Sequence, residues 1–191
     1  MALPFTIDLR GDWFPAARLA SVAGTMLTVP DRAVLTCSGS LTRHLEESWG
    51  RPVGVRLAGQ RVVAALMGEG PHWGEGHRPP GPGPVLLRDA WLDDGLQERV
   101  FAHSQMAVAA LPEPIRAAIQ QGERPLGTLF TEQELSVQRA LLELARARVP
   151  YLAGFLGEDE GRLFWCRRSL FAVDGKPQAR ILEIFLREHP G

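Results

Sequence analysis

The chain has 191 residues, enough for one compact domain with a real core and too few for two comfortable ones. Its hydrophobic content of 45% and charged content of 23% are those of an ordinary globular protein, which excludes a disordered or fibrous class. A net charge of −1 gives no general electrostatic case for nucleic acid or for a membrane surface.

The N-terminal residues Met1-Ala2-Leu3-Pro4-Phe5-Thr6 lack a basic region followed by a long apolar run, so no signal peptide is expected. No apolar run reaches membrane-spanning length. A cytoplasmic protein is the expectation. The two cysteines, Cys37 and Cys166, lie far apart without metal-ligand spacing; a disulfide is the alternative reading, and buried free thiols in a reducing compartment are the expectation.

Asp31 to Thr36 reads as a short helix after Pro30. Ser38-Gly39 breaks it, and Ser40 is placed to N-cap a second helix, Leu41 to Trp49, which Gly50 and Pro52 end. An extended run follows from Val53 to Met67, with Gly54 and Gly59 marking a bulge or bend. Residues 68–84 are crowded with Gly and Pro and read as an irregular loop. His72, Glu75 and His77 lie in it, and no metal site is expected there, because such residues in a loop of this kind are ordinarily just polar.

Val85 to Asp93 is a strand, Asp93-Asp94-Gly95 is turn chemistry, and Leu96 to Val108 returns as the second arm of a hairpin. Pro112 to Gln121 reads as a helix, with Pro114 suited to its first turn and Gly122 to its exit. Arg124 to Phe130 is a loop or short helix. Gln133 to Ala147 is ambiguous: its Leu, Glu, Ala and Arg content says helix, yet Arg139 to Arg146 also accepts an extended reading with Ala140, Leu142 and Leu144 on one side. The tail is a second hairpin, Leu163 to Val173, a turn at Asp174-Gly175-Lys176-Pro177, and Gln178 to Leu186. Hairpins with helices grouped elsewhere argue for a single α+β domain over 1–191, built on an antiparallel sheet.

Two residues break the apolar pattern of these strands. In an extended chain alternate side chains share a face. Glu183 then lies with Ile181 and Phe185 in a run that is apolar on both faces, and Arg88 lies with Leu86, Ala90 and Leu92. A buried carboxylate needs a partner, and a buried guanidinium keeps its charge and needs an anion. Either the two pair as a structural salt bridge or each waits for a ligand. Arg167-Arg168 is not a basic patch, because neighbours on a strand face opposite ways; solvation or local pairing is expected. The chain has no phosphate loop, no dinucleotide fingerprint, no H-E-x-x-H and no G-x-S-x-G. Acid–base chemistry and anion binding in a closed pocket remain.

Four segments carry a resemblance. Gly39-Ser40-Leu41-Thr42-Arg43-His44-Leu45-Glu46, Leu86-Leu87-Arg88, Pro125-Leu126-Gly127-Thr128-Leu129-Phe130, and the hairpin from Phe164-Trp165-Cys166-Arg167-Arg168-Ser169 through Gly175-Lys176-Pro177 to Leu182-Glu183-Ile184-Phe185-Leu186 together resemble the bacterial chorismate lyase (chorismate–pyruvate lyase) family. Their order and spacing span most of the chain after residue 30.

The resemblance implies a six-stranded antiparallel sheet with helices on one face and a ligand pocket buried under two helical flaps. It makes Arg139 to Arg146 a strand. It implies an enzyme that converts chorismate to 4-hydroxybenzoate and pyruvate without cofactor or metal, at the start of ubiquinone synthesis. Its only expected partners are those small molecules, and a monomer is expected. Arg88 matches the arginine that grips the ring carboxylate, and Glu183 the glutamate at the opposite end; both are the expected catalytic residues. Leu41, His103 and Leu126 are the further expected substrate-binding positions. Leu126 matches a backbone contact, Leu41 a position that is often Met, and His103-Ser104 stands where many members have an arginine before Ser or Thr. Arg187 replaces the family's proline after Glu-x-Phe-Leu. For Glu183 to donate a proton, burial must raise its pKa. The alternative is a binding protein of the same fold that holds hydroxybenzoate or chorismate without turnover.

Overall fold

The computed structural model describes residues 5–24, 26–64, 72–74, 76–77, 83–121, 126–132 and 135–186. Its strands are β1 (Asp8–Leu9), β2 (Phe14–Pro15), β3 (Gly54–Val63), β4 (Val85–Asp93), β5 (Glu98–Ala107), β6 (Val137–Arg148), β7 (Leu163–Val173) and β8 (Lys176–Phe185). Its helices are α1 (Leu19–Ala23), α2 (Val29–Thr36), α3 (Leu41–Trp49), α4 (Glu113–Gln121), α5 (Leu126–Thr131) and α6 (Pro150–Phe155). This is an α+β architecture on one antiparallel sheet. The strand order is β1-β6-β7-β8-β5-β4-β3, with β2 also paired to β6. The sheet has eight strands rather than the expected six. The two extra ones are two-residue strands from the N-terminal segment, which pair along the outer side of β6.

The helix starts follow their caps. The Thr28 hydroxyl and the Asp31 carboxylate form a capping box that starts α2 before Pro30, two residues earlier than the sequence pattern suggested. The Ser40 hydroxyl accepts from the Arg43 N–H at the start of α3, and Gly50 ends that helix at φ 65°. β3 bulges between Leu57 and Gly59; residues 65–67 of the expected extended run lie outside the described residues.

The segment with helical composition, β6, is a strand. It pairs with β7 from Val137↔Val173 to Arg148↔Leu163. Ladder bonds along its length and burial of Leu144, Ala145 and Ala147 override local propensity. Its register slips between Ala140 and Glu143, where Leu141 adopts φ 49°.

Helices α1 to α5 lie on one sheet face. Leu19, Leu35, Leu41 and Leu45 pack there with Leu92, Val100, Leu144 and Phe185. Ile115, Ile119, Leu129 and Phe130 pack beside them on Leu86, Met106, Phe171 and Ile181. The expectation of helices on one face fails at α6. Leu152 and Ala153 pack on the opposite face with Trp91, Phe101, Phe164, Leu182 and Ile184. The residues that begin α6, Pro150-Tyr151-Leu152-Ala153, follow β6 directly and turn the chain across that second face.

Both cysteines are free thiols, Cys166 buried and Cys37 half-buried. No helix among the described residues is long and apolar enough to cross a membrane.

Candidate active site

Strand register determines which charged residues meet. On the face covered by α1 to α5, Arg88 of β4 stands beside Ser104 of β5, which stands beside Ile181 of β8. One row on, Ala90, Ala102, Glu183 and Arg167 follow one another across β4, β5, β8 and β7. Arg88 and Glu183 thus share a face, two strands and two residues apart, so their Cα atoms are separated by ~12 Å.

They do not clasp each other. Both line one narrow cavity of about 40 Å³ with Ser40, Leu41 and Thr42 of the α3 start. Ala90, Ala102, Ser104 and Phe171 line it from the sheet. α3 in turn packs against α5 above the sheet. A side chain of Arg88 that is only 3% exposed holds its charge in a low-dielectric setting. Burial pulls its guanidinium down to about 10, still protonated at neutral pH.

Glu183 is met by two guanidiniums. Arg139 of β6 donates from Nη2 to Oε1 at 2.8 Å and from Nη1 to Oε2 at 3.2 Å. Arg167, its cross-strand neighbour, donates from Nε to Oε2 at 2.7 Å. Arg139 also donates to the Ser169 hydroxyl at 3.0 Å, and its plane lies over the Phe171 ring. Arg167 spends its Nη1 on the Val34 and Cys37 carbonyls at the C-terminal end of α2, at 2.8 and 3.4 Å. A cation at a helix C-terminus is favourable, so Arg167 ties α2 to the sheet through Glu183.

This arrangement decides one open alternative and corrects one expectation. Glu183 pairs with Arg139 and Arg167, not with Arg88, so the plain structural salt bridge between the two misfit residues is absent. Nor is Glu183 poised as an acid. Burial pushes its carboxyl up, but the charges of Arg139 and Arg167 and their hydrogen bonds outweigh that push and hold it below the ordinary glutamate range. Glu183 is an anion and a hydrogen-bond acceptor.

The other expected contacts divide. Leu41 lines the cavity and is 2% exposed. Leu126 opens α5, and its side chain lies outside the described residues. His103 points to the opposite face of the sheet. Its register partner is Asp89, not Arg88, and its Nδ1 meets Asp89 Oδ1 at 2.6 Å. Its Nε2 meets the Gln105 amide nitrogen at 2.9 Å, and Gln105 Oε1 accepts from Arg180 Nε at 2.6 Å. The Gln105 amide donates to Nε2, so the ring proton sits on Nδ1, toward Asp89. This buried chain satisfies its own members and has no share in the Arg88–Glu183 cavity; Ser104 occupies the position facing it.

A roomier cavity of about 260 Å³ lies between α2 and the outer strands, lined by Met26, Asp31, Val34, Arg146, Trp165 and Phe185 among others. Its one acid, Asp31, is engaged in the α2 capping box. The smaller cavity, with two opposed charges held by strands β4 and β8 on either side of β5, is the better chemical site.

The family model described as "Chorismate pyruvate-lyase Rv2949c-like" matches residues 35–189. A curated relative from Thiobacillus denitrificans, "Probable chorismate pyruvate-lyase", is 33% identical over 105 residues, which cover 53% of this chain and 56% of the relative. The match thus spans little more than half the length of that relative. Among solved structures, the ligand-binding domain assigned to a GntR-family transcriptional regulator from Bordetella bronchiseptica is similar at 20% identity, with a TM-score of 0.56, over 72% of this chain and 87% of that one. The effector domain of PhnF from Mycobacterium smegmatis is similar at 14% identity, with a TM-score of 0.55, over 77% and 88%. At these identities the two structures share the fold.

Proposed function

This chain belongs to the Rv2949c-like chorismate pyruvate-lyase family, and we propose that it converts chorismate to 4-hydroxybenzoate and pyruvate in the cavity between Arg88 and Glu183. The observation that carries this reading is the placement of an arginine and a glutamate at two ends of one covered cavity, with Glu183 bound to other residues than Arg88.

Chorismate presents a ring carboxylate, a ring hydroxyl and an enolpyruvyl ether. In the reaction the C–O bond to the enolpyruvyl group breaks and its electron pair leaves with the oxygen. The neighbouring ring carbon loses its hydrogen, whose bonding pair completes the aromatic ring. The enolpyruvyl methylene gains a proton and becomes the methyl group of pyruvate. Protons lost and gained balance, and aromaticity drives the reaction, so the protein's task is to hold the substrate in a reactive pose.

Arg88 takes the ring carboxylate through its planar fork. Glu183, held ionised, accepts from the ring hydroxyl and so orients the ring. Leu41 and Phe171 supply apolar walls, and α3 with α5 excludes water, which strengthens both polar contacts. Sites for small ligands commonly measure about 300–1,000 Å³, far more than the cavity holds here. Entry therefore requires α3 and α5 to part from the sheet. The 4-hydroxybenzoate released is a precursor for ubiquinone synthesis.

The second reading is a binder without turnover, favoured only by the fold shared with regulator ligand-binding domains. Purified protein mixed with chorismate decides between them, with pyruvate and 4-hydroxybenzoate quantified together. Equal amounts of the two, rising with time and enzyme, are expected. Saturable binding of chorismate with neither product formed would leave the binder.

A further inference from the structure

We propose that Arg139 binds the second carboxylate of the substrate, the one on the enolpyruvyl group, while Arg88 holds the first. The proposal rests on the chorismate lyase reading above and names the residue that makes the site selective for a dianion.

One carboxylate facing two guanidiniums leaves an excess of one positive charge at the Glu183 end of the cavity. Charge buried in that way calls for a further anion. Of the two cations, Arg167 is turned away. It is fully buried, gives its Nε to Glu183 and its Nη1 to the carbonyls at the end of α2, and its Nη2, unpartnered among the described residues, belongs to a side chain that does not line the cavity. Arg139 is the one that lines the cavity. It is rooted in the row of Phe171, on β6, and reaches across that ring and past Ser169 to arrive beside Glu183. Its Nε is buried and has no hydrogen-bond partner among the described residues. A donor of that kind, on a side chain that lines the cavity, suits an incoming carboxylate. As the ether bond breaks, negative charge grows on the departing enolpyruvate, and a preorganised guanidinium at that place stabilises it.

The product carries one carboxylate and the substrate two, which gives the test. Binding of 4-hydroxybenzoate and of 3-(1-carboxyvinyloxy)benzoate, a stable aromatic ether with both carboxylates, is measured by calorimetry on the wild type, Arg139→Ala and Arg139→Lys. Arg139→Lys keeps the buried charge and serves where the alanine variant does not fold. Loss of affinity for the diacid on the order of a hundredfold in Arg139→Ala, and a smaller loss in Arg139→Lys, is expected. Affinity for 4-hydroxybenzoate should fall less than affinity for the diacid in both variants. A wild type that binds neither ligand overturns the lyase reading and this assignment together. A wild type that binds both, with variants that lose both equally or lose neither, leaves the lyase reading standing and overturns the role of Arg139.

Discussion

Arg167 and Glu183 are cross-strand partners on β7 and β8, and their side chains meet at 2.7 Å where neither is more than 2% exposed. With Arg139 on the other side of the carboxylate, this pair anchors the covering helix α2 to the sheet and fixes the charge state of the candidate site.

Glu183→Gln should therefore act on stability as well as on turnover. Removing one partner from a buried charge cluster costs about 3–5 kcal/mol, and here it leaves two guanidiniums facing a neutral amide. The folded carboxyl titrates below its ordinary value of 4.5. Its stabilisation is thus complete above 4.5 and is lost as pH falls through the lower folded value. The gap between wild type and variant, read from urea unfolding midpoints, should be widest near neutral pH and should close in acid. A variant as stable as the wild type at neutral pH would show that the two arginines do not depend on this carboxylate.

Arg88→Ala should weaken the interaction with chorismate by about 2–5 kcal/mol in kcat/KM. Arg88→Lys restores a charge but not the planar fork and should recover only part of that loss. Thermal unfolding of the same preparations separates loss of the anchor from loss of the fold. Normal steady-state kinetics in Arg88→Ala would remove the anchor from the mechanism.

His103→Ala should do the reverse. It leaves the buried Asp89 carboxylate and the Gln105 amide without their partner, at about 1–3 kcal/mol of stability. Because His103 faces away from the cavity, kcat/KM on chorismate should stay close to that of the wild type once the protein is folded. Denaturant midpoints and steady-state rates measured side by side check this, and a large fall in kcat/KM with unchanged stability would return His103 to the site.

Much of this architecture is legible in the chain. The two hairpins, the capped helix at Leu41–Trp49 and the burial of Arg88 and Glu183 follow from alternation, turn residues and caps, all of which act over a few residues. Three features are not legible in that way. β6 has helical composition and becomes a strand because β7 offers it a ladder on both sides of the slip at Leu141. α6 and the two-residue strands are too short to carry a period. Arg167, expected with Arg168 to be solvated or locally paired, is indeed paired, but that its partner is the buried acid of β8, shared with Arg139, is not written in the dipeptide. Counting back from the Asp174-Gly175 turn, where Val173 pairs with Lys176, would set Cys166 opposite Glu183. A register shift between Phe171 and Ala172 brings Arg167 there instead.

Alternation of side chains along each strand determined from sequence alone that Glu183 and Arg88 lie buried, since an extended backbone sends every second residue to the same face. Only the tertiary structure decided what each of them meets. A one-residue shift in a ladder exchanges the faces of an entire strand, and a side chain as long as that of Arg139 reaches over a neighbouring ring to a residue two strands away. Neither the shift nor the reach is written in the local pattern, because both are set by strands that meet only after the chain has folded.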